Sequence, residues 1–381
     1  MISDEAKQLI SQDIINGIPV SEIAPKYGVS RTSVYRIKKS IKDINTEKVT
    51  HDVDMRTAKH EVQNLRARYR SALDTIADLQ KELNQYQQLT DLSSIIIPEN
   101  WKILPRHRKE VVAFTLSSDW HLDEEVDPNE IGGINSYNAE IGKQRIQLYF
   151  KYVLKLINMC RKESTIKRLV VGALGDYISG WIHEELIEAN TMTPPEAIIK
   201  VFELMVNGFN FLLREADLEE IDVICCCGNH ARITVKNQVK RSHKKTYEYL
   251  LYQFLAKWFA LKGEHRIKFK LPEGYFNWLT VFGKDIRFHH GNRISYRGGI
   301  GGVHIPLRKA IAQWNKARHA DLDVLGHWHT RETSRDYVIN SSVIGYSEFS
   351  EFIKADYAPP EQAFFLIHPK FGKTGEFPIV L

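Results

Sequence analysis

The stretch Asp321-Leu-Asp-Val-Leu-Gly-His-Trp-His329 decides the fold of this 381-residue chain. It is a short apolar run that stops at a glycine and at two histidines, His327 and His329. A run of apolar, partly β-branched residues with a glycine behind it predicts a buried strand. In open α/β sheets, ligands bind where such strands end. The two histidines are therefore candidates for a binding site.

Four upstream segments repeat this pattern. They are Val111–Leu116 before Asp119 and His121, Leu169–Leu174 before Asp176, Ile221–Cys227 before Asn229 and His230, and Ile286–Phe288 before His289 and His290. Five predicted strands thus bring carboxylate, amide and imidazole groups to one shared sheet edge. Such ligands suit Mn²⁺, Fe or Zn²⁺. They are too many for one tetrahedral zinc ion and suit two ions about 3.5–4 Å apart, joined by a bridging carboxylate.

The motifs Asp-x-His, Gly-Asp, Gly-Asn-His, His-Gly and Gly-His-x-His occur in this order and resemble those of the calcineurin-like metallophosphoesterases. The resemblance covers residues 110–381. It implies an α/β fold, a four-layer metallophosphoesterase sandwich of two sheets flanked by helices. It also implies two divalent metal ions, with Mn²⁺ as the first choice and Fe or Zn²⁺ as alternatives.

The resemblance further implies a ligand set for each ion. The first metal would be held by Asp119, His121, Asp176 and His329, and the second by Asp176, Asn229, His290 and His327, with Asp176 as the bridge. A hydroxide between the ions would attack phosphorus. Alternation along a strand would put Asp119 and His121 on one face. His289 is the alternative to His290, which is preferred because the family's ligand stands directly before glycine.

Two residues of the Gly-Asn-His motif are predicted to be catalytic, Asn229 and His230. Because His230 follows a ligand, its side chain is expected to point elsewhere and to protonate the leaving oxygen as a general acid. A metal ligand or a structural histidine is the alternative role for His230. The family commonly has an acidic residue directly after this motif, where the chain has Ala231, so the orientation of His230 stays open.

Residues 1–45 resemble a helix-turn-helix of the resolvase and transposase type. Gly28 supplies a left-handed turn between two helices. The inward residues are predicted to be Ile23, Ala24, Val29, Val34 and Ile37. The second helix exposes a set that suits phosphate and base contacts in a major groove, namely Arg31, Thr32, Ser33, Tyr35, Arg36, Lys38 and Lys39. The alternative is a helical interaction module whose basic face is only solvated.

Residues 46–91 carry a heptad repeat without proline or glycine and predict a coiled-coil helix. Its apolar positions are Met55, Ala58, Val62, Leu65, Tyr69, Ala72, Ile76, Leu79, Leu83 and Tyr86. Such a seam favours a homodimer, which would pair two DNA-binding units, as two half-sites require. Packing of the seam against the catalytic domain is the alternative. Residues 92–109 are predicted to be a linker.

Composition narrows the class of protein. The formal charge of +5 and a pI of about 8.8 are compatible with a polyanionic partner. The four cysteines form no C-x-x-C motif and are read as small core residues in a reducing compartment. No apolar stretch approaches the length of a membrane span, and no signal peptide opens the chain. We therefore expect a cytoplasmic protein without membrane contact.

DNA is the leading substrate hypothesis. The metal motifs resemble the double-strand-break-repair nuclease branch, and the helix-turn-helix suits a phage or mobile-element protein. Basic residues near the motifs, Arg232, Arg293 and Arg297, are predicted to contact the substrate phosphate. The alternatives are a phosphomonoesterase or cyclic-nucleotide phosphodiesterase of the same fold, and a DNA-binding regulator with an inactive phosphoesterase domain. Exonuclease or endonuclease action, strand preference and recognition sequence stay open.

Overall fold

The chain divides into two compact units, residues 1–105 and residues 106–381. The computed structural model describes residues 2–91, 109–296 and 302–381, without the side chains of residues 44–54 and 88–91. The predicted linker, residues 92–109, lies outside the described residues except for Lys109. The predicted phosphate contact Arg297 lies outside them as well.

The N-terminal unit is helical. Its helices are α1 (Asp4–Ile15), α2 (Val20–Lys26) and α3 (Arg31–Asp91). Gly28 lies between α2 and α3 with a φ of +65°, which is the left-handed turn predicted there. The five residues predicted to point inward all belong to one small apolar cluster, to which α1 adds the fully buried Ile10. This cluster holds the three helices together.

Helix α3 continues far beyond this cluster. It spans 61 residues, which corresponds to about 90 Å at 1.5 Å per residue. The side chains of residues 55–87 are exposed, and Leu65 and Leu79 of the heptad repeat keep 64% and 58% of their surface. The helix therefore carries its apolar seam on the surface of the chain.

The C-terminal unit contains two sheets among its described residues. The strands of the first sheet are β1 (Val112–Ser118), β2 (Arg168–Gly175), β3 (Glu220–Cys225), β4 (Ile267–Lys270), β10 (Glu361–His368) and β11 (Gly372–Val380). Those of the second are β5 (Asn277–Val281), β6 (Lys284–Phe288), β7 (Leu322–Leu325), β8 (Glu332–Thr333) and β9 (Tyr337–Ile339). The strand order is β11-β10-β1-β2-β3-β4 in the first sheet and β5-β6-β7-β9-β8 in the second. Strands β1 to β4 are parallel, as are β6, β7 and β9.

The two sheets pack face to face. Alternate residues of β1, such as Phe114 and Leu116, lie in one apolar cluster with Ile286, Phe288 and Val324 from the second sheet. The ring centroids of Phe114 and Phe288 are 6.5 Å apart across this interface. Because side chains alternate along a strand, the other face of each sheet is left for helices to cover.

Helices cover the two outer faces. The first sheet packs against α4 (Ala139–Cys160), α6 (Pro194–Glu215) and α7 (Tyr247–Leu261), and the second against α8 (His304–Asn315). Shorter helices are α5 (Glu184–Ala189) and α9 (Glu348–Phe352). Thr193 and Glu196 form a capping box at the start of α6. The predicted two-sheet α/β sandwich is thus confirmed. None of the helices in the described part of the chain combines the length and the apolar composition that a membrane span requires.

Candidate metal centre

The five sequence motifs meet at one place, but they do not share one sheet edge as predicted. The motifs that contain Asp119, Asp176 and Asn229 follow β1, β2 and β3 of the first sheet. Those that contain His290 and His327 follow β6 and β7 of the second sheet. The expectation of a single edge was wrong because the apolar runs look alike whichever sheet they join. The site lies where the ends of two face-packed sheets come together.

Three groups of side chains bring their ligand atoms within 4.8 Å of one another. They are Asp119 with His121 and His329, His121 with Asp176 and His230, and Asp176 with His290 and His327. The first and third groups belong to the two ligand sets that the family resemblance implies. Asp176 and His121 each occur in two groups, so the groups are contiguous. Asp119, His121, Asp176 and His290 are almost completely buried.

Several ligand atoms at this site lack hydrogen bonds. Oδ2 of Asp176, Oδ1 of Asn229 and Nε2 of His290 are buried and have no hydrogen-bond partner. Oδ2 of Asp176 and Nε2 of His290 lie 2.6 Å apart, as a close ion pair. Buried polar atoms normally find a partner, and a cation that binds at the site is one explanation for those that do not. The donor set of carboxylate, amide oxygen and imidazole therefore fits divalent cations.

The backbone at the ligand positions is strained. Asp119, His121, Asp176, His327 and His329 all have φ between +48° and +74°, in the left-handed region. Non-glycine residues in this conformation cost about 1–3 kcal/mol each and cluster at functional sites. The alternation argument for Asp119 and His121 was therefore wrong, because both residues lie in the loop beyond the end of β1. The conformation of this loop, and not the pleat of a strand, aims these side chains at the site.

Two glycines allow the ligand loops to approach each other. A Cβ on Gly228 would lie 2.0 Å from Oδ1 of Asp176, and one on Gly326 would lie 2.5 Å from Oδ2 of Asp119. These two positions need glycine for space. Gly175 needs it both for its φ of +95°, which a side chain would strain, and for space, because a Cβ there would lie 2.2 Å from the backbone nitrogen of Gly228.

Hydrogen bonds hold two of the histidines with Nε2 available. Nδ1 of His121 lies 2.7 Å from Oγ of Ser179, and Nδ1 of His290 lies 2.8 Å from the carbonyl oxygen of Leu174. A carbonyl oxygen only accepts, so Nδ1 of His290 carries a proton, and Nε2 is the nitrogen that faces Asp176. Metal-binding histidines typically donate their other nitrogen in this way. Nε2 of His121 lies 3.2 Å from Nε2 of His329, so both atoms face the same point.

His290, and not His289, belongs to the site. His289 is fully buried among the rings of Tyr275, Phe276 and Trp314, with ring centroids 5.1–5.7 Å away. Its Nε2 lies 3.4 Å from the carboxylate of Asp323, which also forms an ion pair with Arg287. The structure therefore places His290, and not His289, among the candidate metal groups.

His230 is oriented by a residue that the sequence reasoning did not identify. Its Nδ1 lies 3.2 Å from the carbonyl oxygen of Ser179, and its backbone N–H donates to Oδ1 of Asp176 at 2.8 Å. The carbonyl oxygen of Ser179 therefore orients the imidazole of His230, although residue 231, which follows the motif, is an alanine and not an acid. The rings of His230 and His121 are 4.8 Å apart, so His230 lies at the edge of the cluster.

Two buried carboxylates support the ligand loops, and neither was predicted. Glu248 on α7 accepts the backbone N–H groups of Tyr177 at 3.0 Å and Gly228 at 2.7 Å. It thus joins the loop that follows Asp176 to the loop that precedes Asn229. On the other side, Asp123 accepts the backbone N–H groups of Ser179 and Gly180 at 2.6 and 3.0 Å. No short-range pattern marks either residue, because both act through residues far away in the chain.

The pKa values of the site are shifted because many ionisable groups are buried close together. Burial raises the pKa of Glu248 to about 7, with the charge of Asp176 adding to this effect. Burial lowers the pKa of His327 to about 3, and the neighbouring His290 adds to it. Burial opposes ionisation of Asp176, but the neighbouring histidines, His290 first, hold its pKa well below the usual range. Burial opposes protonation of His290, but the charge of Asp176 raises its pKa to about 9. The cluster therefore contains an ionised Asp176 and a neutral His327, and His290 must give up a proton before its Nε2 can bind a cation.

Two of the arginines predicted to contact a phosphate, Arg232 and Arg293, are engaged elsewhere. Arg232 donates to the carbonyl oxygens of Asn229, Thr234 and Val235 at 2.7–3.3 Å. Arg293 donates to the carbonyl oxygen of Val239 at 3.3 Å and lies 4.0 Å from the ring centroid of Tyr275. Both guanidinium groups thus hold backbone segments together.

The predicted DNA contacts lie at the start of α3. Arg31, Thr32, Tyr35, Arg36, Lys38 and Lys39 are exposed, and Ser33 is half-buried. Val34 points into the core of the unit, so the polar residues on either side of it face outward. The oxygen Oγ of Ser30 accepts the N–H of Ser33 at 3.2 Å and begins the helix. These residues form a basic helical surface.

Comparisons with known proteins give structural similarities only. No protein-family model matches the chain, and no curated protein matches it either. A structure of an archaeal phosphodiesterase is similar with a TM-score of 0.30 and 11% identity, over 71% of this chain and 99% of that one. Zinc-complexed Vps29 from Entamoeba histolytica has a TM-score of 0.28 and 10% identity, over 70% and 99%. A predicted phosphoesterase from Streptococcus pneumoniae has a TM-score of 0.26 and 9% identity, over 70% and 97%. The assignment of the site therefore depends on its side chains.

Proposed function

We propose that the chain is a metal-dependent phosphoesterase that hydrolyses phosphodiester bonds of DNA. The observation that carries this proposal is the buried cluster of carboxylate and imidazole groups around Asp176, in which Oδ2 of Asp176, Oδ1 of Asn229 and Nε2 of His290 have no hydrogen-bond partner. Burying charged and polar groups without partners costs free energy, so the cluster persists only if a ligand stabilises it. Divalent cations are the ligands that match its carboxylate, amide and imidazole groups.

The residues fit two adjacent cation sites. Asp119, His121 and His329 would hold one ion, and Asn229, His290 and His327 the other, with Asp176 between them. Mn²⁺ is the first candidate, and Fe and Zn²⁺ are alternatives. Bound divalent ions would supply Lewis-acid activation of a water molecule and would neutralise charge on the phosphate.

His230 would act on the leaving group. The carbonyl oxygen of Ser179 accepts from its Nδ1 in both protonation states, so Nε2 is the atom that gains or gives a proton. Burial lowers the pKa of His230, although Asp176 opposes this effect. A negatively charged phosphate beside the ring would favour the protonated form, which could then protonate the leaving oxygen.

DNA is the proposed substrate because of the basic surface on α3. The exposed side chains of Arg31, Tyr35, Arg36, Lys38 and Lys39 project from one short helical segment. Lys and Arg neutralise phosphates, and short polar side chains next to them reach base edges. A helix-turn-helix that docks in the major groove would use these residues in this arrangement.

We also propose that two copies of the chain pair through α3. The apolar positions of the heptad repeat are exposed along residues 55–87, and a second copy offers the same seam. In a parallel pair, the heptad positions would place Glu61 opposite the partner's Arg66. Opposite charges at these flanking positions set the orientation of coiled coils. A parallel pair would carry two DNA-binding units at the same end.

Replacing the central carboxylate tests the function. We expect Asp176→Ala to lower Mn²⁺-dependent cleavage of DNA by more than about 100-fold, since supporting residues alone contribute 10–100-fold. Duplex binding through the N-terminal unit should persist. Asp222→Ala is the matched control, because this buried carboxylate pairs with Arg168 in the first half of β3. Cleavage by Asp176→Ala at the wild-type rate would refute the proposal.

A substrate panel distinguishes the alternatives. The wild-type chain is assayed with single-stranded, double-stranded and hairpin DNA, with bis-p-nitrophenyl phosphate and with p-nitrophenyl phosphate, with Mn²⁺ added or chelated. We expect turnover of DNA and of the bis-ester. A strong preference for the monoester would instead favour a phosphomonoesterase. A chain that binds no metal and turns over none of these substrates would be a DNA-binding regulator.

A further inference from the structure

A strongly basic loop follows the candidate general acid directly. Residues 232–245, here called the basic loop, contain six lysines and arginines and no acidic residue. Lys236, Lys240, Arg241 and Lys244 are exposed. Among the residues that the structure describes, none of these four side chains has an ion-pair or hydrogen-bond partner. Four uncompensated cations on one loop create a positive potential that attracts a polyanion.

The basic loop is tied to the candidate metal centre. The guanidinium group of Arg232 donates to the carbonyl oxygen of Asn229, a candidate ligand, at 2.7 Å. A β-bridge joins Arg232 to Thr246 at the other end of the loop. Arg293 holds the middle of the loop through the carbonyl oxygen of Val239. The exposed cations therefore lie on a segment whose two ends are held near the candidate metal centre.

The loop also exposes apolar side chains. Ile233, Val235 and Val239 keep 62%, 89% and 78% of their surface exposed. Exposed apolar residues that alternate with cations suit a ligand with phosphates and apolar surface together. The backbone of a nucleic acid offers phosphates beside sugar faces and base edges, and apolar side chains make such contacts.

We propose that the basic loop binds the nucleic-acid backbone next to the scissile phosphodiester. This inference rests on the proposed function and names the surface of the catalytic unit that selects a polynucleotide over a small phosphodiester. The cations Lys236, Lys240, Arg241 and Lys244 contact successive phosphates outside the metal centre. The N-terminal unit then serves to recruit DNA, and the basic loop serves to place a strand in the site.

The test removes the four cations together in the full-length chain, by Lys236→Ala, Lys240→Ala, Arg241→Ala and Lys244→Ala. The control variant removes four exposed lysines of α4 and the turn after it, and so makes the same charge change at another surface. These lysines are Lys143, Lys151, Lys155 and Lys162. Each protein is assayed with a single-stranded oligonucleotide and with bis-p-nitrophenyl phosphate in Mn²⁺, over a series of salt concentrations.

For the loop variant, we expect the ratio of kcat/KM for DNA to kcat/KM for the bis-ester to fall at least tenfold. The loss should appear mainly in the KM for DNA. The slope of log affinity for DNA against log salt concentration should become shallower by about 0.7–0.9 for each phosphate that the loop no longer neutralises. The α4 control should keep the wild-type ratio.

The outcomes separate the two proposals. If wild-type protein hydrolyses neither substrate, the proposed function fails. If wild-type protein hydrolyses both and the loop variant keeps its ratio and salt dependence, the proposed function stands and the inference about the loop is overturned. Circular dichroism checks that the variants, which change exposed side chains only, are folded.

Discussion

Glu248 provides a sharp test of how the candidate metal centre is supported. Its carboxylate is fully buried, and its two oxygens accept the N–H groups of Tyr177 and Gly228. The substitution Glu248→Gln keeps the size of the side chain but replaces one acceptor oxygen with an NH₂ group. This group would face a backbone N–H, so one buried donor would lose its partner. The loops that carry Asp176 and Asn229 would then no longer be joined.

The expected magnitude follows from this geometry. A buried donor without a partner costs about 1–3 kcal/mol, so the melting temperature should fall by several degrees. Loss of a residue that orients metal ligands typically costs about 10–100-fold in metal affinity. Because Glu248 touches the loops of Asp176 and Asn229, the loss should fall mainly on the second ion. The first ion has Asp119, His121 and His329 in addition, so its affinity should change less.

Titration calorimetry with Mn²⁺ measures the effect on metal affinity without any assay of turnover, and thermal unfolding measures the effect on stability. The pH should be about 8, where the wild-type carboxylate, with a pKa of about 7, is ionised. Asp222→Asn is the control, since it changes a buried acid in the same way away from the site. Glu248→Asp provides a second variant, whose shorter side chain reaches one N–H and should lose affinity less. If Glu248→Gln binds two ions as tightly as wild-type protein, Glu248 has no positioning role.

Other substitutions give separate predictions. His290→Ala should lower Mn²⁺ affinity more than tenfold in calorimetry, whereas His289→Ala should keep the affinity and lower the melting temperature. The reverse result would make His289 the metal ligand and His290 the structural residue. Ser179→Ala should lower metal affinity about tenfold by removing the hydroxyl contact to a ligand histidine, and unchanged affinity would contradict this role. Gly228→Ala should cost about 1–3 kcal/mol in denaturant unfolding, because its Cβ would collide with Asp176; a neutral result would show that the loops can separate freely. Pairing through α3 makes a further prediction: Leu65→Glu should convert a dimer to a monomer in sedimentation equilibrium, because it puts a charge into the apolar seam. Ala67→Glu is its control, since this residue lies on the opposite side of the heptad, and a monomeric wild-type chain would refute the pairing.

Much of the architecture could be predicted from local patterns in the sequence. Each of the five apolar runs that stop before candidate metal ligands forms a strand. The heptad repeat became one long helix. These features depend on residues that are close in sequence, because backbone hydrogen bonding and side-chain periodicity are local. The same reasoning found the residues that form the three candidate metal groups.

Tertiary structure alone decided how these pieces are arranged. Two sheets, and not one, carry the motifs, since strand pairing depends on residues far apart in the chain. The choice of His290 over His289 follows from which side chain faces Asp176 and which faces Asp323. Glu248 contacts Tyr177, and Ser179 contacts His121, across long separations in sequence, so no short pattern could have marked them. The sequence by itself determined the ligand types and the strands that carry them. Packing of the two sheets decided their geometry, because it forces the ligand loops into a strained backbone that no local preference would choose.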